Sequence, residues 1–293
     1  MDRKKPIVGL VLTVLGLLTL AAPPTVARGT DAGSGAAPAD GARAAAAAPD
    51  KRAAPRTYKG WAFDTCSAPT LETMAAWRRH SPYRAVGVYF GGRGRHCKAQ
   101  PNLDRAWLRG VHGMGWRVLP LYVSSQPPCV IAKNKKKVRI GSDPVAQGAA
   151  EGRDAVARAR TFAIGEGSPL YLDIESYDLR NKKCLDTTLS FVRAWNREVR
   201  AQGYITGFYS SADSGVKHME LARRAGVKDL PEAIWFARWK GKPNLNREPV
   251  FEPGAWYPNK RIHQYRGNVK ERHGGHTLLI DRNLMDAPVA RIG

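Results

Sequence analysis

Two acidic residues interrupt a dense apolar run, PLYLDIESYD at residues 169–178. Asp173 and Glu175 stand two positions apart in a segment typical of a buried strand, where an unpaired charge is costly. Neighbouring carboxylates raise each other's pKa, so that one of them can keep its proton near neutral pH. General acid/base chemistry requires one protonated and one ionised group, and the pair is therefore a candidate catalytic centre.

Two more acidic residues lie at or near strand ends. Asp64 closes the run WAFD, and Asp281 lies in LLIDRNLM. Glycoside hydrolysis needs one acid to protonate the leaving oxygen and another to act as base, nucleophile or charge stabiliser. A structural role as a helix cap or salt-bridge partner explains Asp64 or Asp281 alone about as well as a catalytic role does. Such a role fits the Asp173–Glu175 pair inside a strand less well. The candidate catalytic residues are Asp64, Asp173, Glu175 and Asp281.

A metal site is another interpretation of clustered carboxylates, since magnesium and calcium ions prefer oxygen ligands. The sequence contains no dedicated metal-binding loop such as DxDxDG. We therefore expect no metal and no other cofactor.

Polar and aromatic side chains near the same strand ends are candidates for binding a sugar. Sugar rings present apolar faces that pack well on aromatic rings, whereas core packing explains Trp235 and Phe90 better. The candidate substrate-binding residues are Tyr209, Arg238, Trp239, Gln264 and Asn283.

The elements around these residues must bring the strand ends together. From residue 58 on, β-rich runs alternate with helical segments five times, and three further strands follow without convincing helices. Strands that alternate with helices indicate a parallel sheet, and eight strands suit a closed barrel. We predict an α/β fold, a TIM-type barrel of five βα units followed by three strands with reduced helices. A doubly wound open sheet is the alternative, although no GxGxxG follows the first strand.

Side-chain alternation in the fourth strand places Asp173 and Glu175 on the inward face, and the aliphatic residues between and before them on the outward face. Acids at the C-terminal ends of barrel strands are typical of active sites. We expect strands at residues 61–64, 84–92, 116–125, 169–176, 203–211, 233–240, 261–267 and 278–285, and helices at 70–80, 102–115, 143–164, 186–202 and up to about 226.

The first 57 residues differ in composition from the rest. Residues 1–27 combine basic residues, a short apolar run and small residues, which predicts a secretory signal peptide that is cleaved near its end, leaving no transmembrane segment. Residues 28–57 are rich in Ala, Gly and Pro and predict a disordered linker. Residues 58–293 are long enough for one large barrel domain.

The charge of the chain is strongly positive, +22 in all. The first 57 residues hold 8 Lys or Arg and 4 Asp or Glu, so residues 58–293 carry +18. Such a charge favours anionic polymers, and for an exported protein these are wall polymers or lipid head groups, with no nucleic acid expected. The densest patch, KNKKKVR at residues 133–139, is explained equally well by a binding role and by a solvated loop. No heptad pattern or exposed apolar helix argues for assembly, and we expect a monomer.

All four cysteines lie in residues 58–293, at positions 66, 97, 129 and 184. An even cysteine count behind a signal peptide indicates two disulfides formed in an oxidising compartment, and the absence of CxxC argues against a zinc or redox site.

Six motifs taken together resemble one family in order and spacing: GWAFDTCSAPT, YLDIE, GFYSS, IWFARW, HQY and IDRN. It is the glycoside hydrolase-like domain of secreted actinobacterial-type proteins, which is similar to the Chalaropsis-type lysozymes, the muramidases of glycoside hydrolase family 25. The resemblance implies that Glu175 is the general acid and that Asp173 orients the acetamido group or stabilises charge. It implies that Asp64 and Asp281 complete the pocket. The cysteines and the Lys-rich loop depart from the muramidase pattern.

The barrel order also suggests a disulfide pairing. Cys66 and Cys97 follow the first two strands, and Cys129 and Cys184 follow the next two. Of three pairings, we predict Cys66 with Cys97 and Cys129 with Cys184, bracing loops around the mouth.

Three functional hypotheses remain open from the sequence. The first is a secreted glycoside hydrolase-like protein, muramidase-like in activity, acting on a cell-wall glycan such as peptidoglycan. The second is a non-catalytic wall-binding protein that uses the same pocket. The third is a metal-dependent phosphodiester hydrolase, since carboxylates in a barrel also serve that chemistry.

Overall fold

Eight strands close into one barrel, in which each strand pairs with the next along the chain and the last pairs with the first. The computed structural model describes residues 54–293, so the expected signal peptide and nearly all of the expected linker lie outside the described residues. The predicted TIM-type α/β barrel is confirmed. The strands are β1 (Thr57–Asp64), β2 (Ala85–Gly91), β3 (Arg117–Val123), β4 (Pro169–Asp173), β5 (Ile205–Ser211), β6 (Ala233–Ala237), β7 (Arg261–His273) and β8 (His276–Pro288).

Five α-helices follow the first five strands, as the sequence predicts. Four of them begin after a polar side chain that accepts a hydrogen bond from a free backbone N–H of the first turn, namely Thr70, Asp104, Asp143 and Asn181. Within residues 54–293, none of the helices combines the length and the apolar character needed to cross a bilayer. The helices are α1 (Leu71–His80), α2 (Arg105–Gly113), α3 (Pro144–Thr161), α4 (Lys182–Ala201) and α5 (Lys217–Arg224).

The sheet is not wholly parallel. Strands β1 to β7 run parallel, but β8 is antiparallel to both β7 and β1. The reason is the connection: β7 and β8 form a long hairpin through Gly274 and Gly275, with φ of +56° and +87°, values that favour glycine. A hairpin reverses the chain, whereas a crossover helix would have kept it parallel. The reversal places the middle of β8 beside the C-terminal end of β1.

Apolar side chains form one layer inside the barrel and another between the barrel and its helices. Tyr171 belongs to the inner cluster, and Leu170, Leu172 and Ile174 belong to the outer one, so the predicted alternation of β4 is confirmed. A side chain at Gly207 would place its Cβ 2.2 Å from the Tyr171 ring. Only glycine therefore fits beside that ring. Trp235 and Phe90 are both core residues, as predicted.

Two disulfides brace the loops at the C-terminal ends of the first four strands. They join Cys66 to Cys97 and Cys129 to Cys184, the pairing that the barrel order predicts. The first links the loops after β1 and β2, and the second links the loop after β3 to the first turn of α4.

Candidate active site

A cavity of about 340 Å³ opens at the C-terminal ends of the parallel strands. This is the end at which barrel enzymes carry their active sites. All four predicted carboxylates line it. The wall of the cavity also includes Tyr89, Arg95, His96, Lys135, Tyr209 and Trp239.

Asp64 is the last residue of β1 and is fully buried at the base of the cavity. Its Oδ1 accepts a hydrogen bond from the Tyr89 hydroxyl at 2.7 Å, and its Oδ2 accepts from the Gln264 and Asn283 amides at 3.1 and 2.8 Å. Burial, and then the charge of Asp281, raise the pKa of Asp64 to about 7, although the three hydrogen bonds act in the opposite direction. Asp64 can therefore exist in either protonation state near neutral pH.

Asp281 lies directly opposite Asp64 in the β1–β8 register. Its Oδ2 accepts from Gln264 Nε2 at 3.3 Å, and its Oδ1 accepts from the backbone N–H of Asn268 at 2.6 Å. Burial raises the pKa of Asp281, and the Asn268 N–H partly offsets that rise.

Gln264 and Asn283 lie beneath the carboxylates and are fully buried. The Gln264 amide nitrogen donates to Asp64 and Asp281, while its oxygen accepts from the Tyr209 hydroxyl and the Trp239 indole at 3.0 and 2.9 Å. Asn283 donates to Asp64 and accepts from the Trp235 indole at 2.8 Å. In this structure both amides position cavity residues, and their expected contact with substrate stays a prediction.

The acidic pair of the fourth strand divides between strand and loop. β4 ends at Asp173, three residues before the predicted strand end, so Glu175 lies in the loop after it. The buried amide of Gln126 fixes this loop, because its Nε2 donates to the Asp173 carbonyl at 3.0 Å and its Oε1 accepts from the Glu175 N–H at 2.8 Å. The sequence offers no signal for Gln126, which follows β3 in a stretch of serines and prolines.

Asp173 and Glu175 have contrasting surroundings. Asp173 is buried, and its Oδ1 has no hydrogen-bond partner among the described residues. Burial first, and then the charge of Glu175, raise the pKa of Asp173 well above its usual value. The Glu175 side chain is 35% exposed and is the carboxylate of this pair that a ligand can reach.

A lysine that the sequence analysis did not single out reaches the same cavity. Lys135 belongs to a 3-10 turn, Lys133–Val138, in which it is the buried residue. Its Nζ donates to the Gly94 carbonyl at 2.9 Å and lies 3.4 Å from Glu175 Oε1. The sequence gives no means of choosing it, because Lys133, Lys136 and Lys137 belong to the same run and are exposed.

The loop after β2 packs tightly on the end of β3 and supplies more of the cavity wall. A Cβ at Gly92, where φ is +96°, would lie 2.1 Å from the Val123 carbonyl oxygen, and one at Gly94 would lie 2.5 Å from that of Ser124. Glycines at these positions allow the close approach. They bring Arg95 and His96 to the cavity, together with the Gly94 carbonyl that holds Lys135.

The aromatic candidates Tyr209 and Trp239 also line the cavity, and Trp239 is 45% exposed. Both continue, with Glu175, into an adjoining groove that Arg238 lines. Arg238 is held by two carboxylates, Glu248 and Asp213, with contacts of 2.6 to 2.9 Å. The structure thus places Arg238 in the groove beside the cavity. Within residues 54–293, no three His, Cys, Asp or Glu side chains are grouped so that they could hold a metal ion.

The sequence profile of the family described as "Rv2525c-like, glycoside hydrolase-like domain" matches residues 75–285, more than half of the chain. The chain belongs to this family. The resemblance inferred from the six motifs is thereby confirmed, and all the cavity carboxylates except Asp64 lie within the matched residues. Comparison with curated protein sequences finds no match.

Two solved structures have barrels similar to that of this chain. The Mycobacterium tuberculosis Tat-secreted protein Rv2525c, in complex with L-tartrate, is 16% identical, with a TM-score of 0.53 over 78% of this chain and 96% of that one. The modular autolysin LytC from Streptococcus pneumoniae, in complex with a synthetic peptidoglycan ligand, is 13% identical, with a TM-score of 0.51 over 80% of this chain and 47% of that one. At these identities the likeness establishes the fold alone.

Proposed function

We propose that this protein is secreted and acts on a cell-wall glycan, peptidoglycan in the first place, by carboxylate general acid/base chemistry. The observation that carries the proposal is the meeting of four carboxylates, from β1, the end of β4, the loop after β4, and β8, around one cavity. The glycoside hydrolase-like family and the autolysin with its peptidoglycan ligand support the choice of substrate class.

The carboxylates would divide the work according to their surroundings. In its protonated form Glu175 is the proton donor to the glycosidic oxygen, because it is the member of the acidic pair that a ligand can reach. Burial raises the pKa of Asp173 well above its usual value and so favours its protonated form, and its Oδ1 has no partner within residues 54–293. That oxygen can donate a hydrogen bond to the acetamido group of a bound sugar. Asp64 and Asp281 complete the pocket and stabilise developing positive charge.

Secretion and wall attachment rest on several observations that agree. The sequence predicts a signal peptide, two disulfides cross-link the cavity loops, and the family relative Rv2525c is described as Tat-secreted. The net charge of +18 on residues 58–293 suits anionic wall polymers.

A non-catalytic glycan-binding role is the second candidate, and one contact favours it. The ion pair between Glu175 and Lys135 engages the carboxyl group that a hydrolase would use as its acid. A pocket built in this way can hold a sugar without cleaving it.

The two candidates separate in one experiment on purified peptidoglycan. Wild type and Glu175→Gln are compared for release of reducing ends and for co-sedimentation with the polymer. Hydrolysis predicts that Glu175→Gln still binds but releases reducing ends roughly 100-fold to 10,000-fold more slowly. Glu166→Gln is the matched control, because Glu166 is an exposed glutamate outside the cavity, in the loop before β4. Binding by wild type with no reducing ends released would establish the binding role instead.

A further inference from the structure

Lys135 occupies an unusual position for a lysine in this basic chain. Its side chain is 9% exposed, whereas the other lysines of its 3-10 turn are at the surface. Burying an ammonium group is costly unless charged or polar partners compensate. Two partners do so within residues 54–293, the Gly94 carbonyl and the Glu175 carboxylate.

The backbone on both sides of the ammonium group is fixed. Residues 126 and 139 form a parallel bridge that closes the base of the loop, and the Cys129–Cys184 disulfide ties that loop to α4. The Gly94 carbonyl belongs to the loop that packs against the end of β3. Lys135 Nζ is therefore held in place from two directions.

Glu175 is the more movable partner of the ion pair. The Nζ–Oε1 distance of 3.4 Å is longer than that of a strong charge-assisted hydrogen bond, and the Glu175 side chain is 35% exposed. A second anion that enters the cavity can take its place on Lys135 at little cost, because the ammonium group is already desolvated and positioned.

We propose that the cavity selects an acidic sugar, one that carries a carboxylate, and that this carboxylate replaces Glu175 as the partner of Lys135 Nζ. The exchange releases Glu175 to face the bound sugar. The inference rests on the proposed glycan-binding role of the cavity and names the class of sugar. Arg95 lines the same cavity and adds positive charge to its wall.

A carboxylate fits this site better than a phosphate. The buried donor is one ammonium group, which matches one negative charge, and one of its contacts remains with the Gly94 carbonyl. A phosphate with more charge and more acceptor oxygens needs several donors around it.

The test is a binding titration with a soluble probe, a hyaluronan tetrasaccharide in which N-acetylglucosamine alternates with a uronic acid. Its carboxyl-reduced form is the neutral partner. Wild type should bind the acidic form roughly tenfold more tightly, and Lys135→Gln should lose that preference. Lys136→Gln is the matched control, since it removes the same charge from the next, exposed residue and should keep the preference.

Glu175→Gln gives a sharper result, because it removes the competing carboxylate. Its affinity for the acidic tetrasaccharide should rise above that of wild type, while its affinity for the reduced form should not. This comparison needs no change at the buried lysine and stays decisive if Lys135→Gln does not fold.

Equal affinity of wild type for the two forms would overturn the inference, as would a preference that Lys135→Gln retains. Tighter binding of a phosphate-bearing teichoic acid fragment would overturn the choice of carboxylate. Because the readout is binding, the inference and the proposed hydrolysis fail separately. A preference for the acidic tetrasaccharide without release of reducing ends from peptidoglycan supports the inference. Hydrolysis of peptidoglycan without that preference refutes it.

Discussion

Asp64 and Asp281 face each other across the antiparallel β1–β8 pair, and a single amide group, Nε2 of Gln264, donates to both. Two carboxylates that accept from one donor, one of them buried and the other half-buried, cannot both be ionised without cost. The hydrogen bond from Gln264 lowers the pKa of Asp64 and the Asn268 N–H lowers the pKa of Asp281, while burial raises both. The protonation of Asp64 and Asp281 therefore depends on opposing effects of burial and hydrogen bonding, which substitutions can change.

Replacement of Asp64 by asparagine should flatten the dependence of stability on pH. The pKa of Asp64 is about 7 in the folded chain against an ordinary value of 3.8. The neutral Asp64 carboxyl stabilises the folded chain. This contribution to the free energy of unfolding is fully present below about pH 4 and is lost as the pH rises through 7. Wild type should therefore lose stability between pH 5 and 8, by an amount on the order of a few kcal/mol.

Urea unfolding at pH 5, 6, 7 and 8 measures this slope. Asp64→Asn should show a smaller loss than wild type, with part of the loss remaining because the pKa of Asp173 is also raised. Asp186→Asn, at an exposed carboxylate of α4, should keep the wild-type slope. An unchanged slope in Asp64→Asn would contradict the assignment.

Gln264→Leu should destabilise the protein through loss of its hydrogen bonds. The substitution keeps the approximate size, but it leaves Asp64, Asp281, Tyr209 and Trp239 without the amide that connects them. We expect a loss of roughly 2–5 kcal/mol in the free energy of unfolding, since buried polar atoms would be left unpaired. Gln202→Leu, at the partly exposed C-cap of α4, should cost far less. Equal losses in the free energy of unfolding for the two variants would show that the amide network does not stabilise the fold.

Trp239→Ala should weaken glycan binding without unfolding the barrel. Trp239 is 45% exposed in the cavity wall, where a sugar ring can pack against it. A loss of roughly threefold to tenfold in affinity is expected, measured by titration with a soluble chitin oligosaccharide. Leu221→Ala, which removes an exposed apolar side chain from α5, should leave the affinity unchanged. Similar affinities in wild type and Trp239→Ala would remove Trp239 from the binding surface.

Each disulfide should contribute to stability by restricting the unfolded chain. The bridges close segments of 31 and 55 residues, for which chain entropy suggests about 3–4 kcal/mol each, slightly more for the longer one. Urea unfolding of the Cys66→Ser/Cys97→Ser and Cys129→Ser/Cys184→Ser double variants compares them. The second variant should also lose the preference for acidic sugars, because its disulfide ties the Lys135 loop to α4. A preference retained in that variant would show that the loop is held by other contacts.

The barrel and its acidic mouth could be predicted because each depends on local pattern. Alternation in β4 separates Tyr171 and Asp173 from the aliphatic residues between them, and five βα repeats indicate parallel strands. The antiparallel course of β8 could not be predicted in the same way, since a strand's direction depends on its connection. It is this reversal that brings Asp281, in the middle of its strand, beside Asp64 at the end of β1.

The rest of the site depends on side chains that meet only in three dimensions. Lys135 belongs to a run of similar lysines, and its burial follows from how the loop folds over Gly94. Gln126 acts through backbone atoms of β4 and the following loop, 47 and 49 residues away in sequence. No periodicity or spacing in the chain encodes such contacts.

The role of the cavity in glycan binding is decided by a crystal structure of Glu175→Gln with a bound N-acetylglucosamine oligosaccharide. We predict a sugar ring in the cavity between Trp239 and the carboxylates, with a polar group of the sugar within hydrogen-bond distance of Asp173 Oδ1. Position 175 should face a glycosidic oxygen at about 3 Å. Oligosaccharide bound elsewhere on the surface, with the cavity empty, would contradict it.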